Sequence, residues 1–241
     1  MNGVDIMISS GGYGLSSYFY QFFQTLVYTA PAILIAISLH EFAHGYVSYR
    51  LGDMTPKLDG RLTLNPFKHL DVWGTVCLLF FHVGWAKPIR VNTRNYKNKR
   101  RDMILVAAAG PVMNFLLAFL FLLFYGLFYK YGNGGLISGY LKMLCYYTAV
   151  LNVGLGVFNL IPVPPLDGSN ILAELFPAVE RFYFKIRRYS FVILAGLLWL
   201  GVLSYPMAML DNTILGGMWN LVRNILRIGV MVNTGGGGTV I

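Results

Sequence analysis

The residues His40-Glu41-Phe42-Ala43-His44 carry the most explicit chemistry in this chain. On a helix, positions i and i+4 lie one turn apart on the same face. Two imidazoles placed that way can both turn a ring nitrogen toward one zinc ion, at about 2.0–2.1 Å. Glu41, next to the first histidine, flanks such an ion without binding it. Its carboxylate suits a general base that takes a proton from an attacking water and passes it to the leaving amine of a peptide. The pattern lies inside an apolar run, where three polar side chains are costly and point to function. The competing account, in which the histidines and Glu41 merely satisfy one another, explains a lone histidine better than it explains this spacing.

Two histidines do not complete a catalytic zinc site. A third protein ligand is needed, with the fourth position left to water, and it must come from another helix. Asp71, Asp102, Glu174, Glu180 and Asp211 stand near helix ends or basic stretches, and Asp53 and Asp59 follow directly after the first helix. Asp167 differs: it closes Pro162-Val163-Pro164-Pro165-Leu166-Asp167-Gly168, a segment that cannot be continuous helix. Non-helical backbone at membrane depth is tolerated where it is buried in protein or lines a watery cavity. Placement therefore favours Asp167 as third ligand. An Asp-Gly turn at the membrane surface remains the alternative.

The elements that must hold these residues are membrane helices. The 241 residues are 56% hydrophobic and 12% charged, about half the charged share of an average soluble domain, ~25%. Mean hydropathy is +0.58. The expected fold is an all-α integral membrane bundle, a single domain over 1–241 with a catalytic core at 18–175 and additional helices at 185–232. Apolar runs over 18–49, 103–129, 141–161 and 189–210 read as spans. A last amphipathic helix is expected at 214–232, in or on the membrane. Pro31 interrupts the first run and could bend it. The apolar stretch 72–85 is too short for a comfortable span and reads as a re-entrant or β segment near 72–90. Cys77 and Cys145 lie in apolar surroundings and read as small buried residues. The first 20 residues lack the pattern of a cleavable signal peptide.

The formal charge of +9 does not point to nucleic acid, because the cations lie between apolar runs. No Lys or Arg precedes Arg50, and eleven occur from Arg50 to Arg101. The positive-inside rule then places the N-terminus outside and residues 50–101 in the cytoplasm. The cluster Arg181, Lys185, Arg187 and Arg188 falls on the same side, and the histidine pair lies in the cytoplasmic half of the bilayer.

Three segments together resemble the site-2 protease family of intramembrane metalloproteases: His40 to Gly45, Gly110-Pro111-Val112-Met113-Asn114, and Asn159-Leu160-Ile161-Pro162 through Asp167-Gly168. The last follows that family's N-x-x-P-x-x-x-x-D-G pattern position by position. Leu64-Asn65-Pro66 with His69 and Asp71, and Gly84 to Pro88, are similar to segments of its compact members. The resemblance covers roughly residues 30–175. It implies a three-helix catalytic core, a zinc cofactor, membrane-spanning protein substrates and Asp167 as third ligand. It implies that Asn159 hydrogen-bonds the substrate backbone or the developing oxyanion, a helix-to-helix hydrogen bond being its alternative. Asn114 is expected to be structural, Gly110 and Pro111 to permit close packing, and His69 and His82 to stay off the metal. No stretch reads as a PDZ-like insertion or a CBS pair, so substrate choice falls to the membrane core, with 72–85 as an edge for strand addition, or to a regulatory membrane partner. The default location is a bacterial plasma membrane. A hydrolase of soluble peptides, a membrane-embedded metal transporter and an inactive metal-binding homologue are the rival functions. Transporters line a through-path with polar residues, which 189–210 lacks, and an inactive binder has no need of Glu41.

Overall fold

The computed structural model describes residues 15–71, Gly74 and residues 87–228. Eight α-helices lie among them: α1 (Leu15–Arg50), α2 (Thr55–Leu58), α3 (Lys99–Tyr131), α4 (Leu136–Leu160), α5 (Asp167–Leu175), α6 (Pro177–Ile186), α7 (Ser190–Trp199) and α8 (Ser204–Leu226). The described residues contain no strand of a sheet, so the all-α membrane fold holds. Of the segment near 72–90 expected to be re-entrant or β, residues 72, 73 and 75–86 lie outside them, and 87–90 carry no regular secondary structure.

Helices α1, α3 and α4 are each long and apolar enough to cross a membrane. α1 runs unbroken through Pro31. The three pack against one another through small side chains: Ala32, Ala36 and Ala43 on α1, Ala107 and Ala118 on α3, and Ala149 on α4 are buried. Lipid gives helices little apolar drive to associate, so close approach and van der Waals contact must supply it. Larger apolar residues face outward instead, including Val112 and Leu116 on α3. Asn98 caps α3, its side chain accepting the Arg101 N–H. Basic residues gather where α1 ends and α3 begins. The far end of α3 carries Tyr125 and Tyr129, which meet Tyr146 and Trp219, as aromatic side chains at a membrane interface do.

The C-terminal part departs from the expected span over 189–210. That stretch is divided between α7 and α8, and the α6–α7 arm meets α8 at a bend of 78°. The break is local and physical. Gly201 adopts φ +69°, and its N–H and that of Val202 return to the carbonyls of Leu198 and Leu197. This is the hydrogen-bond closure that ends helices on a left-handed glycine. The amphipathic stretch from 214 is the second half of α8, not a separate helix. α8 packs Met207, Ile214, Leu215 and Met218 onto Ala118, Val153 and Val157 of α3 and α4.

Candidate metal centre

α1 brings His40 and His44 to the face that meets α3, and α5 brings Asp167 as its first residue. His40 Nε2 lies 3.0 Å from His44 Nε2. Asp167 Oδ2 lies 3.3 Å from the first and 3.2 Å from the second. These are the three residues among those described whose ligand atoms converge within 4.8 Å, and no ion is present. All three lie within the protein, the histidines buried and Asp167 nearly so.

The neighbours fix which ring nitrogens carry protons. His44 Nδ1 is 2.6 Å from the Val106 carbonyl, which can only accept, so Nδ1 donates and Nε2 keeps its lone pair in the neutral ring. For His40 the same conclusion comes through a longer chain. The Thr148 carbonyl accepts from Asn152 Nδ2 at 2.8 Å, which turns Asn152 Oδ1 toward α3. That oxygen accepts from Asn114 Nδ2 at 2.8 Å, leaving Asn114 Oδ1 for His40 Nδ1 at 2.6 Å. His40 Nδ1 therefore donates, and its Nε2 also keeps a lone pair. Two imidazole lone pairs thus face each other beside a carboxylate oxygen. Asp167 Oδ2 is buried and accepts no hydrogen bond; its contacts with the two imidazoles are close approaches of acceptors. Acceptors converging on one point with no proton between them suit a cation, and the two-nitrogen, one-oxygen set suits zinc.

Two glycines make the convergence sterically feasible. A Cβ on Gly110 of α3 would lie closer than 3.0 Å to both Nε2 atoms. A Cβ on Gly168 would strike the Leu160 and Ile161 carbonyls, so glycine lets the start of α5 seat Asp167 against the end of α4.

Glu41, beside His40 on α1, is held by the chain that follows α1. Its Oε2 accepts the Ile89 N–H at 3.0 Å, and it makes no other hydrogen bond among the described residues. Asn159 lies on α4 near the loop to Asp167, but its Nδ2 donates to the Leu155 carbonyl of its own helix at 3.0 Å. His69 is buried apart from the group, with Nε2 2.8 Å from the Thr63 carbonyl. His82 and Cys77 lie outside the described residues, and Cys145 is a buried free thiol.

Sequence comparison now bears on this geometry. The model of peptidase family M50 matches residues 28–203. The chain belongs to that family, the site-2 proteases. The M50 match takes in all four residues of the histidine–glutamate–aspartate set. Relatives agree with it. YwhC of Bacillus subtilis, proposed by name to be a zinc metalloprotease, is 40% identical over 170 residues, covering 69% of this chain and 77% of its own. Rip2 of Mycolicibacterium smegmatis, named in the same terms, is 31% identical over 170 residues, 68% of this chain and 64% of its own. The chain therefore spans somewhat under two thirds of Rip2. No solved structure matches. As an M50 member the chain is a zinc metallopeptidase, and zinc is its cofactor.

Sequence reasoning missed part of the surroundings. Asn152 sits in an apolar span two turns before Asn159, and a lone amide in such a run was a signal. The Val106 carbonyl and the Ile89 N–H act through backbone atoms, which leave no mark in residue type.

Proposed function

We propose that this chain is an endopeptidase that hydrolyses peptide bonds within or beside the transmembrane segments of other proteins, with His40, His44 and Asp167 holding zinc and Glu41 as catalytic base. The observation that carries the reading is the convergence of two imidazole lone pairs and an orphaned carboxylate oxygen, one residue from Glu41, inside a membrane helix bundle. Bound zinc supplies a Lewis acid that polarises the scissile carbonyl and acidifies water.

The chain's own residues do the rest. Asn114 and the Val106 carbonyl hold both rings in the tautomer that presents Nε2. Glu41 accepts a proton from the attacking water and delivers it to the amine that leaves. Asn159, half-buried at the end of α4, turns from its own helix to donate to the substrate backbone or its developing oxyanion. His44 precedes Arg50 by six residues, so the site lies about 9 Å from the basic end of α1. With the basic end cytoplasmic, as charge asymmetry implies, the site lies in the cytoplasmic half of a bacterial plasma membrane and the N-terminus lies outside. A substrate helix must unwind to expose its carbonyls, which are otherwise held in i→i−4 bonds. The substrates are membrane-spanning proteins, and a membrane partner is a route to their selection.

The test is proteolysis in phospholipid vesicles with a panel of single-span bacterial proteins, the products mapped by mass spectrometry. Cuts inside or within a few residues of the apolar segment, absent with Glu41→Gln, are the expected result. Equally efficient cutting of water-soluble peptides of the same sequence overturns the membrane-substrate reading.

A further inference from the structure

Residues 87–92, outside any helix, form a strap beside α1. It is tied at several points. The Lys87 N–H reaches the His69 carbonyl at 2.9 Å. The Ile89 N–H holds Glu41 Oε2. The Ile89 side chain rests on Gly45, where a Cβ would come 2.9 Å from Ile89 Cδ1. At the far end, the Asn92 N–H donates to Asp53 Oδ2 at 2.7 Å, and Asn95 Nδ2 donates to Asp53 Oδ1 at 3.1 Å.

Asp53 is wholly buried and belongs to no element of the metal centre. α1 ends on Gly52, at φ +107°, with the Asp53 N–H returning to the Ser48 carbonyl. That turn brings the carboxylate back beside the helix, where Ser48 Oγ donates to Oδ2 at 3.0 Å. Thr55 supplies its N–H at 3.0 Å and its hydroxyl at 2.6 Å to Oδ1. Asp53 thus joins the end of α1, the turn after it and the far end of the strap.

We propose that Asp53 is a positioning residue for Glu41: by pinning Asn92 and Asn95 it fixes the strap so that the Ile89 N–H holds one carboxylate oxygen of Glu41 and leaves the other for proton transfer. This rests on the function proposed for Glu41. Ile89 and Asn92 are only three residues apart, at most about 11 Å of chain, so the anchor at Asn92 limits where the Ile89 N–H can fall. Without that N–H the Glu41 side chain is free to rotate about three bonds. A base must sit within about 2.6–3.2 Å of the proton it takes.

The experiment measures zinc content, kcat and KM for cleavage of a single-span model protein in phospholipid vesicles. The variants are Asp53→Asn, Ile89→Pro, which deletes the N–H, Ile89→Ala, which keeps it, and the Asp53→Asn/Ile89→Pro double. Asp53→Asn and Ile89→Pro are each expected to keep full zinc and KM and to lower kcat about ten- to a hundredfold. Ile89→Ala, which keeps the N–H and loses only the packing on Gly45, lowers kcat less than Ile89→Pro, and the double variant falls no further than Ile89→Pro, because both act on one contact. Asn95→Ala, a milder cut in the same anchor, lowers kcat less and in the same direction, and decides the matter should Asp53→Asn fail to fold. Unchanged kcat in Asp53→Asn or Asn95→Ala, multiplying losses in the double, or losses that follow zinc content overturn the proposal. Glu41→Gln in the same assay separates the two readings: if it remains active the proposed function fails, whereas an inactive Glu41→Gln beside a fully active Asp53→Asn defeats this inference alone.

Discussion

Asp53 and Asp167 each follow a long apolar helix, and each sits within the protein beside the end of that helix. Around Asp53 the chain supplies five donors, from Ser48, Thr55, Asn92 and Asn95. Around Asp167 Oδ2 it supplies none and places two imidazole nitrogens instead. A carboxylate taken from water is expensive unless paired. Donors from the protein meet that cost in the first region; in the second, the proposed site leaves it to a cation. Burial alone thus does not distinguish a structural aspartate from a metal ligand; the nature of the neighbouring atoms does.

The sharpest way to break the contrast is to spoil the convergence without touching a ligand. Gly110→Ala sets a methyl group against both Nε2 atoms, and zinc and proteolysis are expected to be lost together while the helix content persists. Metal analysis alongside circular dichroism checks this; full zinc in Gly110→Ala would mean that α3 does not form the wall of the site.

A smaller effect is expected one bond further out. Asn114→Leu removes the acceptor that fixes the His40 tautomer, and zinc affinity should fall about 10–100-fold, read by competition with a chelator. An unchanged affinity would show that the amide chain to Asn152 and Thr148 is packing rather than support for the metal.

The mildest test concerns the satisfied carboxylate. Burial alone would raise the Asp53 carboxyl, but the donors from Thr55, Asn92 and Asn95 hold it below its ordinary value. A depressed folded-state pKa contributes stability that is present above the unfolded value, about 3.9, and lost as pH falls through the folded one. The Tm difference between wild type and Asp53→Asn should therefore hold steady from about pH 7 to pH 5 and shrink below about pH 4. A difference that grows on acidification would contradict this assignment.

Much of the centre was legible because its signals are local. His40, Glu41 and His44 lie within five consecutive residues of one helix, and Asp167 stands out as an acid in a proline-broken segment. The three spans α1, α3 and α4 follow from apolar length alone. What the sequence concealed depends on long-range or backbone contacts. Asn114 was expected to be structural, yet it carries the hydrogen bond that orients His40, a relation spanning 74 positions. The break at Gly201 was hidden because hydropathy over 189–210 does not register a glycine entering a left-handed turn.

The most direct test of the central claim is zinc per chain, measured by mass spectrometry on purified wild type, Asp167→Asn and Asp53→Asn. The expected result is about one zinc in wild type, little in Asp167→Asn and a full complement in Asp53→Asn. Full zinc in Asp167→Asn would contradict the assignment of the orphaned carboxylate to the metal.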